Sequence, residues 1–441
     1  MTYLQESARQ LIAGPDLVIS AQRLVTPEGE RSGRLTVRAG RIVELGDFAP
    51  GDVTLPDSWV LMPGLVDSHV HVNEPGRTDW EGFASATAAA AAGGVTTIVD
   101  MPLNSIPPTT TVAALSAKRA AARDAVHIDT AFWGGAVPGN LNDLGPLHEA
   151  GVVGFKCFLL PSGVDEFPPL SPNELRAAME RIASFGGLLI AHAEDAASIH
   201  DPAGPSYRDF VASRPPEAES RAVFALLTNT QRTGCRTHIV HVSAAEVLPL
   251  IAEAKGAGLP VTAETCPHYL TLTAEEVGGT EFKCCPPIRG ATNRDALWQG
   301  LRDGTLDCVV SDHSPCPPAL KAGGFDAAWG GIASVQLGFS AVWTESAARG
   351  ATLVDLARSM SAAPARLAGL PHKGAIAPGF DADFAVVDPD ATWTVDPAQL
   401  RQRHPLTPYS GQTLRGVVRE TWLRGELVDG ATPHGQLLSR G

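Results

Sequence analysis

Two histidines one residue apart, His69 and His71, close the run "GLVDSHVH" and precede a loop containing Pro and Gly. On a strand side chains alternate with period two, so both imidazoles point the same way and Val70 points opposite. Two converging imidazoles suit one divalent metal ion. An isolated H-x-H fits a pair of core or surface histidines equally well, so the other chemistry-bearing residues decide. His192 ends "LLIAH", His238 and His241 lie in "THIVHVS", and Asp312 lies in "VVSDHS". His238 and His241 differ by three and face opposite sides of a strand. His241 is nearer the strand end and is the expected ligand; His238 is expected to be structural, and His127 is given no chemistry.

Lys156 stands inside the apolar run "GVVGFKCFLL". A buried ammonium costs several kcal/mol unless paired, and beside a metal site it repels the cations. Three readings follow: a lysine salt-bridged inside the fold, a Schiff-base lysine, or a carbamate formed with carbon dioxide. The carbamate is an anion with two oxygens able to bridge two metals. Spacing alone leaves the three open.

The elements that must position these residues alternate short apolar strands with Ala- and Leu-rich helical stretches such as "EGFASATAAAAAG". Eight strands are expected, at 64–71, 94–102, 127–135, 151–159, 188–195, 236–243, 260–267 and 306–314. Most are nearly continuously apolar, as strands buried on both faces should be. Eight strand–helix alternations read as an α/β fold, a (β/α)₈ barrel whose catalytic face is the C-terminal end of its strands. The nitrogen and oxygen ligands collect at that rim. Both flanks read instead as short strands and turns, expected to meet as one β-sandwich built from both chain ends. The expected division is 1–60 and 369–441 for the sandwich and 61–368 for the barrel.

The chain's 441 residues, 44% of them hydrophobic, allow a large core beside a smaller unit. A formal net charge of -14 disfavours nucleic acid and anionic membrane surfaces as partners. No apolar run reaches the roughly 18 residues of a membrane span, and "MTYLQESARQ" lacks the marks of a signal peptide. Seven cysteines without a C-x-x-C pair fit reduced thiols in the cytoplasm.

In order along nearly the whole chain, "DSHVHVNEPGR", "MPLN", "GVVGFKCF", "HVS", "CPHYLTL", "CPPIR", "VSDHSPCPPALKAG" and "WGGIA" resemble the cyclic-amidase branch of the amidohydrolase superfamily. That branch contains allantoinases, hydantoinases/dihydropyrimidinases and dihydroorotases, and the motifs are most similar to those of allantoinases. The resemblance implies a binuclear centre of two divalent ions, usually zinc (Zn²⁺), bridged by N6-carboxylysine at Lys156 and a hydroxide. His69, His71 and Asp312 would hold one ion, and His192 and His241 the other. Asp312 would carry the proton from the attacking hydroxide to the leaving nitrogen. The implied reaction is hydrolytic opening of a cyclic amide, and the implied assembly a homotetramer acting on a small molecule.

Three departures bear on the ring. Dihydroorotase-like members often carry arginine where this chain has Asn73. Hydantoinase-like members tend to show glutamine at the position of His268, and a tyrosine shortly after the bridging lysine, where Cys157 and Phe158 stand here. All three favour (S)-allantoin, opened to allantoate in purine catabolism, over a hydantoinase/dihydropyrimidinase. Ring recognition is expected from backbone groups near Cys285 and Gly330, with Asn104, Cys157 and His268 as further substrate contacts. Related allantoinases often have serine in place of Cys285. Cys284 and Cys316 are read as ordinary buried thiols. A non-catalytic scaffold homologue should lack one of the six ligand positions, and all six are present.

Overall fold

The computed structural model describes residues 17–441, so the reading of the first ten residues lies outside the described part. All eight expected barrel strands are present: Leu65–Val70, Val95–Asp100, Asp129–Phe132, Phe155–Phe158, Leu188–His192, Arg236–Ile239, Val261–Thr265 and Cys308–Val309. Successive strands pair in parallel. The third is interrupted at Trp133, whose indole N–H donates to the Ser68 carbonyl. It resumes as Gly134–Gly135, which pairs with Phe155 and Lys156. The circle closes where Val70 bridges His313 in parallel and the His71 N–H donates to the His313 carbonyl at 2.8 Å. Every residue of Val95–Asp100 is buried, as expected for a strand covered by helices on one side and the barrel interior on the other. The alanine run forms the helix Phe83–Ala92.

The eighth strand keeps its ladder for only two residues, although a longer strand was expected. Its backbone leaves extended geometry at Asp312, where φ is +46°. His241 lies just past the sixth strand with φ +39°. Such conformations are uncommon for non-glycine residues and cluster at functional sites.

The chain ends meet in one eight-stranded mixed sheet. Val60–Pro63 is its seam, parallel to Leu17–Thr26 on one side and antiparallel to Phe384–Thr394 on the other. Period-two alternation gives the sheet two apolar faces. Leu61, Phe384 and Val386 join a separate core with Leu24 and Leu35. Val60, Met62, Ala385 and Val387 join the barrel core. The chain crosses from sheet to barrel at Gly64, where a Cβ would lie 2.2 Å from Thr96 Oγ1, so only glycine fits.

An ionic cluster ties the sheet to the barrel base. Lys373 Nζ lies 2.6 Å from Asp129, 2.9 Å from Asp381 and 2.6 Å from Asp383, and Arg424 adds a second cation 2.6 Å from Asp129. Burial alone would lower the Lys373 pKa, but the three carboxylates outweigh it and raise it. Removing the cation from a buried pair strands the anions. Lys373→Met should therefore cost on the order of 3–5 kcal/mol, read as a lower denaturant midpoint. An unchanged midpoint would show that the cluster contributes nothing to joining the two units.

Candidate metal centre

His69, His71, His192, His241 and Asp312 sit near or just past strand ends and Lys156 lies inside Phe155–Phe158, so the sequence separation between them vanishes in space. His69 Nε2 lies 3.1 Å from Asp312 Oδ1 and His71 Nε2 lies 3.6 Å from it. The ring centroid of His241 lies 5.4 Å from that of His69 and 4.5 Å from that of His192. His69, His71, Lys156, His192, His241 and Asp312 all line one cavity of about 240 Å³. Asn104, Cys285 and Gly330 line it too, and Cys284, read as an ordinary thiol, joins them.

Two expected substrate contacts do not reach this cavity. Cys157 packs in the apolar core, because it follows Lys156 on a strand and so faces the other way. His268 lies on the short helix Pro267–Thr271, fully buried behind Asp312. Neither of its ring nitrogens has a hydrogen-bond partner among the described residues, and burial lowers its pKa to about 3. Asn73 is also buried outside the cavity and donates to the Pro315 carbonyl.

The electrostatics suit cations. Burial, then neighbouring positive groups, keeps His71 and His241 well below the ordinary imidazole pKa, and burial brings His192 to about 4. These rings are therefore neutral and able to ligate. His69 Nε2 and His241 Nδ1 are buried without a hydrogen-bond partner among the described residues, the state expected of atoms shaped to face a metal. Lys156 is buried, forms no ion pair among the described residues, and has its pKa lowered to about 8, by burial first. Burial raises the Asp312 pKa. The donor set thus fits divalent ions.

Sequence reasoning missed the groups behind the ligands. The Glu194 carboxylate accepts from His192 Nε2–H at 2.7 Å and from Arg214 at 2.5 Å. Burial would raise its pKa, but Arg214 and His192 hold it down to about 2. Glu264 accepts from His69 Nδ1–H at 2.5 Å and from His238 at 2.9 Å. Carboxylates on the outer nitrogens fix the tautomers and leave His69 Nε2 and His192 Nδ1 as lone pairs. Glu194 was findable, since it follows His192 by two on the same strand edge. Arg214, also in the cavity wall, is a cation already paired with Glu194.

The backbone N–H groups of Cys285 and Gly330 make no hydrogen bond among the described residues, although both residues line the cavity. Phe158 stacks on His192 with ring centroids 4.8 Å apart.

The fold and this site define an amidohydrolase: the amidohydrolase family profile matches residues 60–428, and the chain belongs to that family. It is 57% identical to the allantoinase of Streptomyces avermitilis, over 96% of this chain and 99% of that one. It is 47% identical to the allantoinase of Saccharomyces cerevisiae, over 83% and 82%. Among solved structures it resembles the L-hydantoinase (dihydropyrimidinase) of Arthrobacter aurescens, with TM-score 0.90 and 30% identity over 97% of this chain and 100% of that one.

Next to Gly330, Gly331 has φ +153°, and a Cβ there would meet the Ser314 carbonyl oxygen at 2.3 Å. Gly331→Ala must displace one of these two cavity-wall segments. The expected outcome is a fall in kcat/KM of at least about tenfold, about 1.4 kcal/mol, with little change in the far-ultraviolet circular dichroism spectrum. Parental kinetics would show that this wall does not shape the reacting site.

Proposed function

We propose that the chain opens the ring of allantoin to allantoate at a binuclear divalent metal centre, with zinc the expected metal. The observation that carries this reading is the convergence of six ligand-type side chains on one cavity. The curated relatives called allantoinases support the choice of ring. In this reading His69, His71 and Asp312 would hold one ion, His192 and His241 would hold the other, and Lys156, once carboxylated, would supply oxygens to both. When bound, such a pair of ions supplies hydroxide at neutral pH and polarises the scissile carbonyl.

The chain's own groups do the rest. Asp312 presents Oδ1 to the two imidazoles, which leaves Oδ2 to take a proton and pass it to the leaving ring nitrogen. The free N–H groups of Cys285 and Gly330 receive ring carbonyls, and Asn104 meets the ureido group. Phe158, Leu103 and Trp329 exclude water from the same space. Arg214 is spent on Glu194, and Asn73 supplies no charge, so a substrate carboxylate such as that of dihydroorotate would be buried unpaired. We also assign the protein to the cytoplasm as a homotetramer acting on a small molecule, without nucleic-acid or membrane partners. The seven free thiols and the net charge of -14 support the compartment and the partner classes, and no described helix is long and apolar enough to cross a membrane.

A side-by-side assay of metal-loaded enzyme tests the substrate. The kcat/KM for allantoin should exceed that for dihydrouracil or hydantoin by roughly a hundredfold or more, within the range that hydrogen-bond recognition supplies. Dihydroorotate should be inert. Equal or higher efficiency with dihydrouracil would assign the chain to the hydantoinases and leave the metal argument intact.

Carbamate formation needs the neutral amine, and Lys156 titrates near pH 8. Below that value the neutral fraction falls about tenfold per pH unit. Reactivation of stripped protein by zinc, with dissolved carbon dioxide held at one concentration across the series, should therefore speed up from pH 6 to about 8 and then level, while Lys156→Ala should bind little metal and stay inactive. A pH-independent rate, or an active alanine variant, would remove the bridging role.

A further inference from the structure

We infer that Glu264 is a positioning residue shared by both metal subsites, anchoring the ring of His69 and the backbone of His241 through one carboxylate that His238 holds from behind. Its Oε1 accepts from His69 Nδ1–H at 2.5 Å and from the His241 backbone N–H at 3.4 Å. Its Oε2 accepts from His238 Nε2–H at 2.9 Å, and His238 Nδ1 lies 2.8 Å from Thr262 Oγ1, the hydroxyl that donates to it. Glu264, His69 and His238 are each only 1% exposed.

A buried carboxylate needs hydrogen-bond donors, and these three fill three of its roughly four acceptor sites. An ionised carboxylate only accepts, so the proton on His69 stays at Nδ1 and Nε2 is left to face a cation. His241 holds φ +39°, where a non-glycine residue rarely rests, and the same oxygen ties down its N–H. His69 belongs to one subsite and His241 to the other, so a single oxygen sets both. Glu194 differs in this respect, since it touches one ligand, His192, and is held by Arg214. His238 and Thr262 also line a separate cavity of about 960 Å³ beside Leu188, Arg236 and Val261, the first residues of three barrel strands. Changes at His238 therefore have space to be accommodated without disturbing the barrel.

The inference rests on the binuclear reading, and the test separates the two. Parent, Glu264→Gln, Glu194→Gln, His238→Leu and His238→Gln are loaded with zinc and dialysed against graded chelator. The zinc retained per chain is then measured, and the near-ultraviolet circular dichroism of the stripped proteins checks that each is folded. Loss of a carboxylate behind a ligating histidine typically weakens metal binding about 10–100-fold. Glu264→Gln should shift release of both equivalents by that factor, whereas Glu194→Gln should shift one. His238→Leu removes the donor to Oε2 and should also shift both, while His238→Gln keeps an N–H donor and should restore the parental profile. Parental retention of both ions in Glu264→Gln, or a shift of one equivalent alone, overturns the inference. If Glu264→Gln does not fold, the His238 pair decides: equal profiles in the two variants overturn it. A parent that binds no zinc would sink the binuclear reading itself.

Discussion

The interior of this barrel depends on how it accommodates Lys156, an ammonium buried among four ligand-type histidines with no carboxylate paired to it among the described residues. Burial lowers its pKa to about 8 and keeps His71, His192 and His241 neutral. An interior that gathers imidazole lone pairs and the Asp312 carboxylate around an unpaired cation is a weak place for the native chain and a strong one for divalent cations. In the proposed centre, conversion of the amine to a carbamate would resolve the conflict, since it would turn the one repulsive group into a bridging ligand. The lowered pKa that makes the ammonium costly also makes the amine reactive.

The scaffold is arranged so that this donor set cannot relax. Helices cover the parallel strands outside, and the side chains at their C-terminal ends face one another inside. Strand eight leaves its ladder to turn Asp312 inward, and the chain past strand six bends at His241 to do the same. Carboxylates on the outer nitrogens fix the tautomers of His69 and His192. The sheet made from the two chain ends stands away from the chemistry and is joined to the barrel base by Lys373 and its three carboxylates.

The convergence of the six ligand-type side chains was legible in the sequence because strand periodicity puts His69 and His71 on one side, and because Lys156 is anomalous in an apolar strand. The same periodicity should have removed Cys157 from the substrate contacts, since a residue next to an inward lysine points outward. His268 failed for another reason: its segment is a short helix behind Asp312, and its "CPHY" motif carries no direction. Glu194 obeys the H-x-H spacing rule relative to His192, and Glu264 is as unusual in its strand as Lys156, so both could have been read. Arg214 could not, because its contact with Glu194 joins a loop to a strand end. The two flanks read correctly as strands, but their pairing into one mixed sheet depends on register and order that local patterns do not encode.

The most direct test of this account is anomalous diffraction from zinc-loaded crystals, recorded above and below the zinc edge. The account predicts two anomalous peaks in the cavity, one beside His69, His71 and Asp312 and one beside His192 and His241, with density beyond Lys156 Nζ reaching both. A single peak, or two peaks beside an unmodified Lys156, would contradict it.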